Sequence, residues 1–292
     1  MRFKPIHLRA VATLTVLSAC TLASECLSEE SQNLKDIPYG VMSAEMVRIA
    51  YSGTEKLKYA ISWTGGVKIG ELHMEIHRDK DEGYELDAYV TTEGTFMNSI
   101  YPVHDTHTTR VRGDERLPYF YEVYQEEGYS YTAYRMTTYD QEKGVVKYRK
   151  NDQPVREFKI DGTSHNEFSA FFASRLMEFK DGGAIIVPAF ADKKRAEVVV
   201  KTLSRQMTSQ TVLGDVQTVL VSPILKFKGL YDKRGDTVIW YTDDECRVPV
   251  QINSKVVVGS ITAKLVSYEN PLCPRYTTTK SVSSKKEDEA GG

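Results

Sequence analysis

Apolar and polar residues alternate with a period of two along most of this chain, the pattern of strands with one buried face. The period is clearest between Phe227 and Glu269. Val238 to Thr242 is a short apolar and aromatic run closed by the turn residues Asp243 and Asp244. Val250, Ile252, Val256 and Val258 then alternate with Gln251, Asn253 and Lys255, and after Gly259-Ser260 the residues Ile261, Ala263 and Leu265 alternate with Thr262 and Lys264. This predicts an antiparallel hairpin with a glycine at its tip. Upstream, Leu57, Tyr59, Ile61 and Trp63 share one face, and Lys56, Lys58 and Ser62 the other. After the turn at Gly65-Gly66, Leu72, Met74 and Ile76 oppose His73, Glu75 and His77, followed by Tyr84, Leu86, Ala88 and Val90. Further strands are predicted at 119–125, 129–139, 145–149, 197–203 and 217–222. Their short, regular spacing argues for an antiparallel barrel or sandwich.

One segment breaks this period. Ser164-His165-Asn166-Glu167 reads as a capping box, and Phe168, Phe171, Phe172, Leu176 and Phe179 form one helical stripe, stopped by Asp181-Gly182-Gly183. A lone helix must bury such a stripe. The predicted fold is therefore mostly β: a single strongly curved antiparallel sheet, an open or half barrel, with one amphipathic helix packed on its concave face.

The two ends read differently. Arg2, Lys4 and Arg9 precede the uncharged run Ala10 to Ala19, an export signal too short to span a bilayer. It ends in Leu17-Ser18-Ala19-Cys20, which looks like the lipobox of bacterial lipoproteins, with Cys20 as the lipidated residue. The alternative is ordinary cleavage after Ala23, with Cys20 discarded. The expected organisation is a signal peptide over 1–19, a flexible tether over 20–45, a β domain over 46–276 and a disordered tail over 277–292. Export makes disulfides permissible. Folding the hairpin about Gly259 brings Cys246 opposite 271 or 272, so Cys246–Cys273 is the expected bond, leaving Cys26 free or lost. With 38 Lys and Arg against 40 Asp and Glu, no basic excess points to nucleic acid. The 18 tyrosines suit strands.

Candidate chemistry is sparse. His73 and His77 are four apart, but on a strand that separates them by about 13 Å, so they read as a solvent face. His104-Asp105-Thr106-His107 reads as a polar loop, Asp243-Asp244-Glu245 as a turn, and Ser169 as a helix residue without a hydrolase elbow. No metal site, cofactor fingerprint or nucleophile–base pair is legible.

These elements together resemble the bacterial family known as domain of unknown function 3108. The shared marks are Leu57-Lys58-Tyr59-Ala60-Ile61-Ser62-Trp63 with Gly65 and Ile69-Gly70, and the Phe168-Ser169-Ala170-Phe171-Phe172 helix with Arg175. Towards the end they are Val238-Ile239-Trp240-Tyr241 with Asp243-Asp244, Arg247-Val248-Pro249-Val250, and Val258-Gly259-Ser260 before Leu265. Cys246 departs from the charged residue usual there. The resemblance implies an exported envelope protein and carries over no catalytic residue. Its shape is similar to the half-barrel lipoprotein carriers of the Lol system. The expected function is non-enzymatic, needing no cofactor: a slot lined by Trp63, Phe168, Phe171, Phe172, Phe179, Phe227 and Trp240 binds a lipid, acyl chain or other hydrophobic envelope component. Loops around Phe96-Met97 and from Leu225 to Tyr231 would gate it. The expected location is the periplasm, anchored to the outer membrane by lipid. The alternatives are a ligand-free structural module binding an envelope protein partner, and a glycan hydrolase with two converging carboxylates.

Overall fold

The computed structural model describes residues 34–64, 66–80, 83–191, 193–226, 237–255 and 259–278. The expected signal peptide, Cys20, Cys26, Phe227, Tyr231, Val256–Val258 and the tail from 279 lie outside the described residues. Fourteen strands form one sheet. They are β1 (Thr54–Trp63), β2 (Val67–Arg78), β3 (Tyr84–Thr92), β4 (Val103–Arg112), β5 (Leu117–Glu127), β6 (Tyr131–Asp140) and β7 (Val145–Lys150), then β8 (Arg156–Lys159), β9 (Ala184–Ala191), β10 (Lys194–Thr211), β11 (Gly214–Lys226), β12 (Thr237–Thr242), β13 (Pro249–Lys255) and β14 (Ser260–Glu269). Among the described residues three α-helices accompany them: α1 (Ala44–Ala50), α2 (Thr95–Ile100) and α3 (Glu167–Arg175).

Every neighbouring pair is antiparallel, in the order β8-β7-β6-β5-β4-β3-β2-β1-β14-β13-β12-β11-β10-β9. Two meanders, β1–β8 and β9–β14, are joined where the first strand pairs with the last, Leu57 opposite Tyr268 and Ile61 opposite Ala263. The sheet stays open between β8 and β9, which follow one another in the chain. The segment between them turns inward as α3. The concave face it enters holds Leu57, Tyr59, Met74, Ile76, Leu86 and Val111 against Phe172 and Leu176. On the other flank Val187, Val219, Val221 and Ile239 pack on Ala170 and Ala173. The expected curved sheet with a helix in its concavity is what forms.

The β9 edge is covered by other segments, one of the ways proteins keep exposed strand edges from pairing with other chains. Gly40 N–H donates to the Ile186 carbonyl and Ile186 N–H to that of Pro38, both at 2.9 Å. Further along β9, His165 N–H donates to the Pro188 carbonyl and Phe190 N–H to that of His165. Ile37 also packs on Ile186 and Val199. Residues 34–45 are thus part of the fold, which corrects the tether expected over 20–45: Leu34 and Ile37 cover the face of β9 and β10 turned away from α3, and Met42 packs on the α3 side. At the other end Thr277 and Thr278 still bond the Asn270–Tyr268 backbone region, so order extends past the expected boundary at 276.

The helix differs from its expected limits. Its cap is Asn166, whose side-chain oxygen accepts the Phe168 and Ser169 N–H groups while Ser169 Oγ accepts Asn166 N–H. Ser164 and Glu167 are not the capping pair. The helix stops at Arg175 because the next residues are taken by the N-terminal segment: Ser43 N–H donates to the Leu176 carbonyl and Met177 bridges Met42. It is also packed beyond one stripe, with Ser169, Ala170, Phe172, Ala173, Ser174 and Arg175 all buried. His104–His107, expected as a loop, belongs to strand β4, and Phe96–Met97 to α2.

Candidate functional site

The strands give the concavity a floor and a rim. At the floor the inward residues are sealed: Leu57, Tyr59, Ile76, Leu86, Val111, Val146, Val219 and Tyr241 are at most 2 % exposed. Above α3 the inward positions of the same strands, two or four residues along, become half-accessible. Ile61, Leu72, Val90, Val198 and Ile252 do so, together with Phe168 and Phe171 of the helix. The interior is therefore a cup, sealed below and partly accessible above.

The floor is held by a buried ion pair. Arg175 Nη2 donates to Glu55 Oε1 at 2.7 Å with both side chains fully buried. Tyr268 and Asn270 donate to the same carboxylate oxygen at 3.1 and 3.2 Å. Burial works against the Arg175 charge, but Glu55 more than offsets it and holds the guanidinium above its ordinary pKa. Asn270 also donates to the Ile49 carbonyl, tying α1 to this node. Below it the Cys246–Cys273 disulfide is formed as expected, with Cα atoms 6.1 Å apart.

The cup has two unlike walls. Ile61, Leu72, Val90 and Ile252 are apolar. Next to them in strand order, β4–β6 present Asp105, His107, Gln125, Glu127 and Arg135 at the inward positions, with Asp105 beside Val90. Arg135 donates to Gln125 Oε1 at 2.8 Å, and the Gln125 amide donates to Asp105 at 3.2 Å and Glu127 at 2.9 Å. His107 Nδ1 lies 2.9 Å from the Tyr121 hydroxyl. Burial lowers the His107 pKa, favouring the neutral ring, and burial with the nearby Asp105 charge raises that of Glu127. A surface half apolar and half hydrogen-bonding suits an amphiphile better than a plain hydrocarbon.

The predicted site residues divide accordingly. Phe172 and Phe179 are core: Phe172 meets Phe168 and Phe171 edge-to-face at 5.2 and 5.3 Å, and Phe179 stacks on Tyr241. Phe168 and Phe171 are the half-accessible pair, Phe168 6.0 Å from His107. Trp63 stands at the rim, 43 % exposed. Trp240 is half-buried beside a bulge in β12 and packs against the same core cluster as Ile61 and Ile252, while its neighbours Ile239 and Tyr241 pack with α3. Ser169 is buried in the helix cap, its hydroxyl 3.2 Å from His165 Nδ1. Asp243 pairs with Arg205 and Arg247, and Asp244 accepts the Cys246 and Arg247 N–H groups, the turn-building role expected of them. Of the described residues, His77, Glu85 and Asp87 come close enough to share a metal ion. Arg110 already holds Glu85, and Thr108 holds Asp87.

Sequence reasoning missed the polar wall and the Arg175–Glu55 pair. The wall had a signal: Asp105 and His107, like Gln125 and Glu127, sit at one parity of their strands. The ion pair joins residues 120 positions apart and had none.

Fold and interior together define a barrel-like β protein with an internal cup. The chain belongs to the family described as protein of unknown function DUF3108, whose model matches residues 58–266. In structure it is similar to a beta-barrel-like protein of domain of unknown function DUF1849 from Brucella abortus. The TM-score is 0.50 at 11 % identity, covering 74 % of this chain and 97 % of that one. At that identity the likeness concerns the fold alone. No curated protein sequence matches.

Proposed function

We propose that this protein is a non-enzymatic binding protein of the bacterial envelope that holds one amphiphilic molecule, a lipid or acyl chain with a polar head. The carrying observation is the half-accessibility of apolar side chains that point into the sheet above a fully packed floor. A chain laid against Ile61, Leu72, Val90 and Ile252 gains about 0.8 kcal/mol per buried methylene, so about ten methylenes outweigh most costs of association. The head would meet the Arg135–Gln125–Glu127 wall. The export signal and the disulfide support a periplasmic location, and the lipobox at Cys20 supports an outer-membrane anchor. Native mass spectrometry of the gently extracted protein, together with displacement of a fluorescent fatty acid, tests this reading. A protein that carries no ligand and ignores the probe ends it.

A second reading, a ligand-free module that docks an envelope protein, draws on the exposed Tyr89, Tyr124 and Tyr129. Crosslinking in membranes followed by mapping to those tyrosines would favour it.

A further inference from the structure

Adjoining the cup, near the open edges of the sheet, lies a pocket of about 240 Å³. It sits between β6–β7 and β9, at the start of α3. Three cationic side chains line it: Arg135 from β6, Lys150 from the end of β7 and Lys193 from the turn between β9 and β10. Glu167 is the one acidic residue of that lining.

The two lysines are held by rings rather than by carboxylates. Lys193 Nζ lies 5.3 Å from the Tyr148 ring centre and Lys150 Nζ 5.5 Å from that of Tyr131. Among the described residues neither has a carboxylate at ion-pair distance. A cation resting on an aromatic face keeps its ammonium protons available to an oxyanion. Arg135 uses Nη2 on Gln125, and its Nε is buried without a partner. A guanidinium so placed can bond an oxyanion with its remaining donors. Tyr139, also in the lining, has its pKa raised well above the ordinary phenol value by burial, so its hydroxyl stays a donor. The volume is below the about 300 Å³ at which pockets begin to hold a whole drug-sized ligand. It suits a headgroup, with no space for the chain. Arg135 and Tyr121 belong both to this pocket and to the cup wall, so a head here can stay joined to a chain there.

We propose that this pocket is an oxyanion subsite, taking a phosphate-type headgroup of the bound amphiphile. The proposal rests on the amphiphile-binding reading for the chain, and on the three cations for the head. Calorimetric titration of the purified full chain with dodecyl phosphate, dodecanol and inorganic phosphate separates the two. Dodecyl phosphate is expected to bind at least about tenfold tighter than dodecanol, the factor that one charge-assisted contact supplies. In Lys150→Gln/Lys193→Gln that preference should vanish while dodecanol affinity holds. The exposed Lys193→Gln alone should show part of the loss and guards against a double variant that does not fold.

A preference that survives both variants, or no preference at all, overturns the subsite. If neither amphiphile binds, the reading of the cup fails, and inorganic phosphate decides on the pocket. Phosphate binding lost in the double variant sustains an oxyanion site that serves free phosphate, and no phosphate binding overturns it.

Discussion

Arg175, in the last turn of α3, places its guanidinium 2.7 Å from Glu55 on the first strand, both wholly out of water. The contact joins the inserted helix to the strand that closes the two meanders. Removing one partner strands a buried charge, so Arg175→Met alone should cost about 3–5 kcal/mol. The double change Arg175→Met/Glu55→Gln should cost clearly less than the sum of the singles. Urea unfolding of the four proteins in the cycle measures this, and additive losses would mean that the pair does not act as a unit.

The floor and the cup should respond in opposite ways to substitution. Phe172, packed against two other rings and 1 % exposed, should lose about 3–5 kcal/mol on change to Ala. Ile61→Trp adds bulk at a partly accessible position. It should leave the unfolding midpoint nearly unchanged and weaken fatty-acid probe binding by about tenfold or more, about 1.4 kcal/mol. A large stability loss at Ile61 would show the rim to be as tightly filled as the floor.

Stability should fall in mild acid through His165. Burial pushes its pKa down to about 4, whereas an unfolded imidazole titrates near about 6.5. The unfolded chain therefore takes up the proton first as pH falls. The stability contributed by the neutral ring is whole above about pH 6.5 and is lost progressively towards pH 4, by up to about 3 kcal/mol. Urea midpoints at pH 7 and 4.5 should converge in His165→Gln relative to the parent chain. An equal acid loss in both proteins assigns the effect elsewhere.

The Cys246–Cys273 bond spans 27 positions, joining the turn before β13 to the segment after β14. Its removal by Cys246→Ser/Cys273→Ser should lower stability by about 2–4 kcal/mol, mainly by freeing the unfolded chain. Probe binding in the cup should persist in the folded fraction. Thermal unfolding with and without reductant gives the comparison.

If the lipobox is read correctly, labelled palmitate enters the exported chain and is lost in Cys20→Ala. Label retained in that variant would place the acyl group on another residue.

Much of the fold was legible because its strands have one dry face. Leu57–Tyr59–Ile61 and Leu72–Met74–Ile76 announce both the strand and the side it buries. The rim half of β4, His104 to Thr108, reads as a loop because it has no apolar residue on either face, which is how a strand reads when it walls a polar cavity. β9 was missed for the converse reason. Ile185, Ile186 and Val187 run without alternation because α3 covers one face and Ile37 the other. Of the predicted lining, Phe168 and Phe171 reach the cup, while Phe172 and Phe179 are spent on packing. A one-dimensional stripe cannot separate these uses.

The sequence alone determined the period-two strands, the inserted phenylalanine helix, the cysteine pair and the family, because each rests on residues near one another or on a repeating local rule. Tertiary structure alone decided where α3 starts and stops, that residues 34–45 seal the sheet edge, that Arg175 meets Glu55, and that polar side chains from three strands form one wall. Those outcomes depend on which distant segments compete for the same backbone groups and the same buried space, and that competition is settled only when the chain closes on itself.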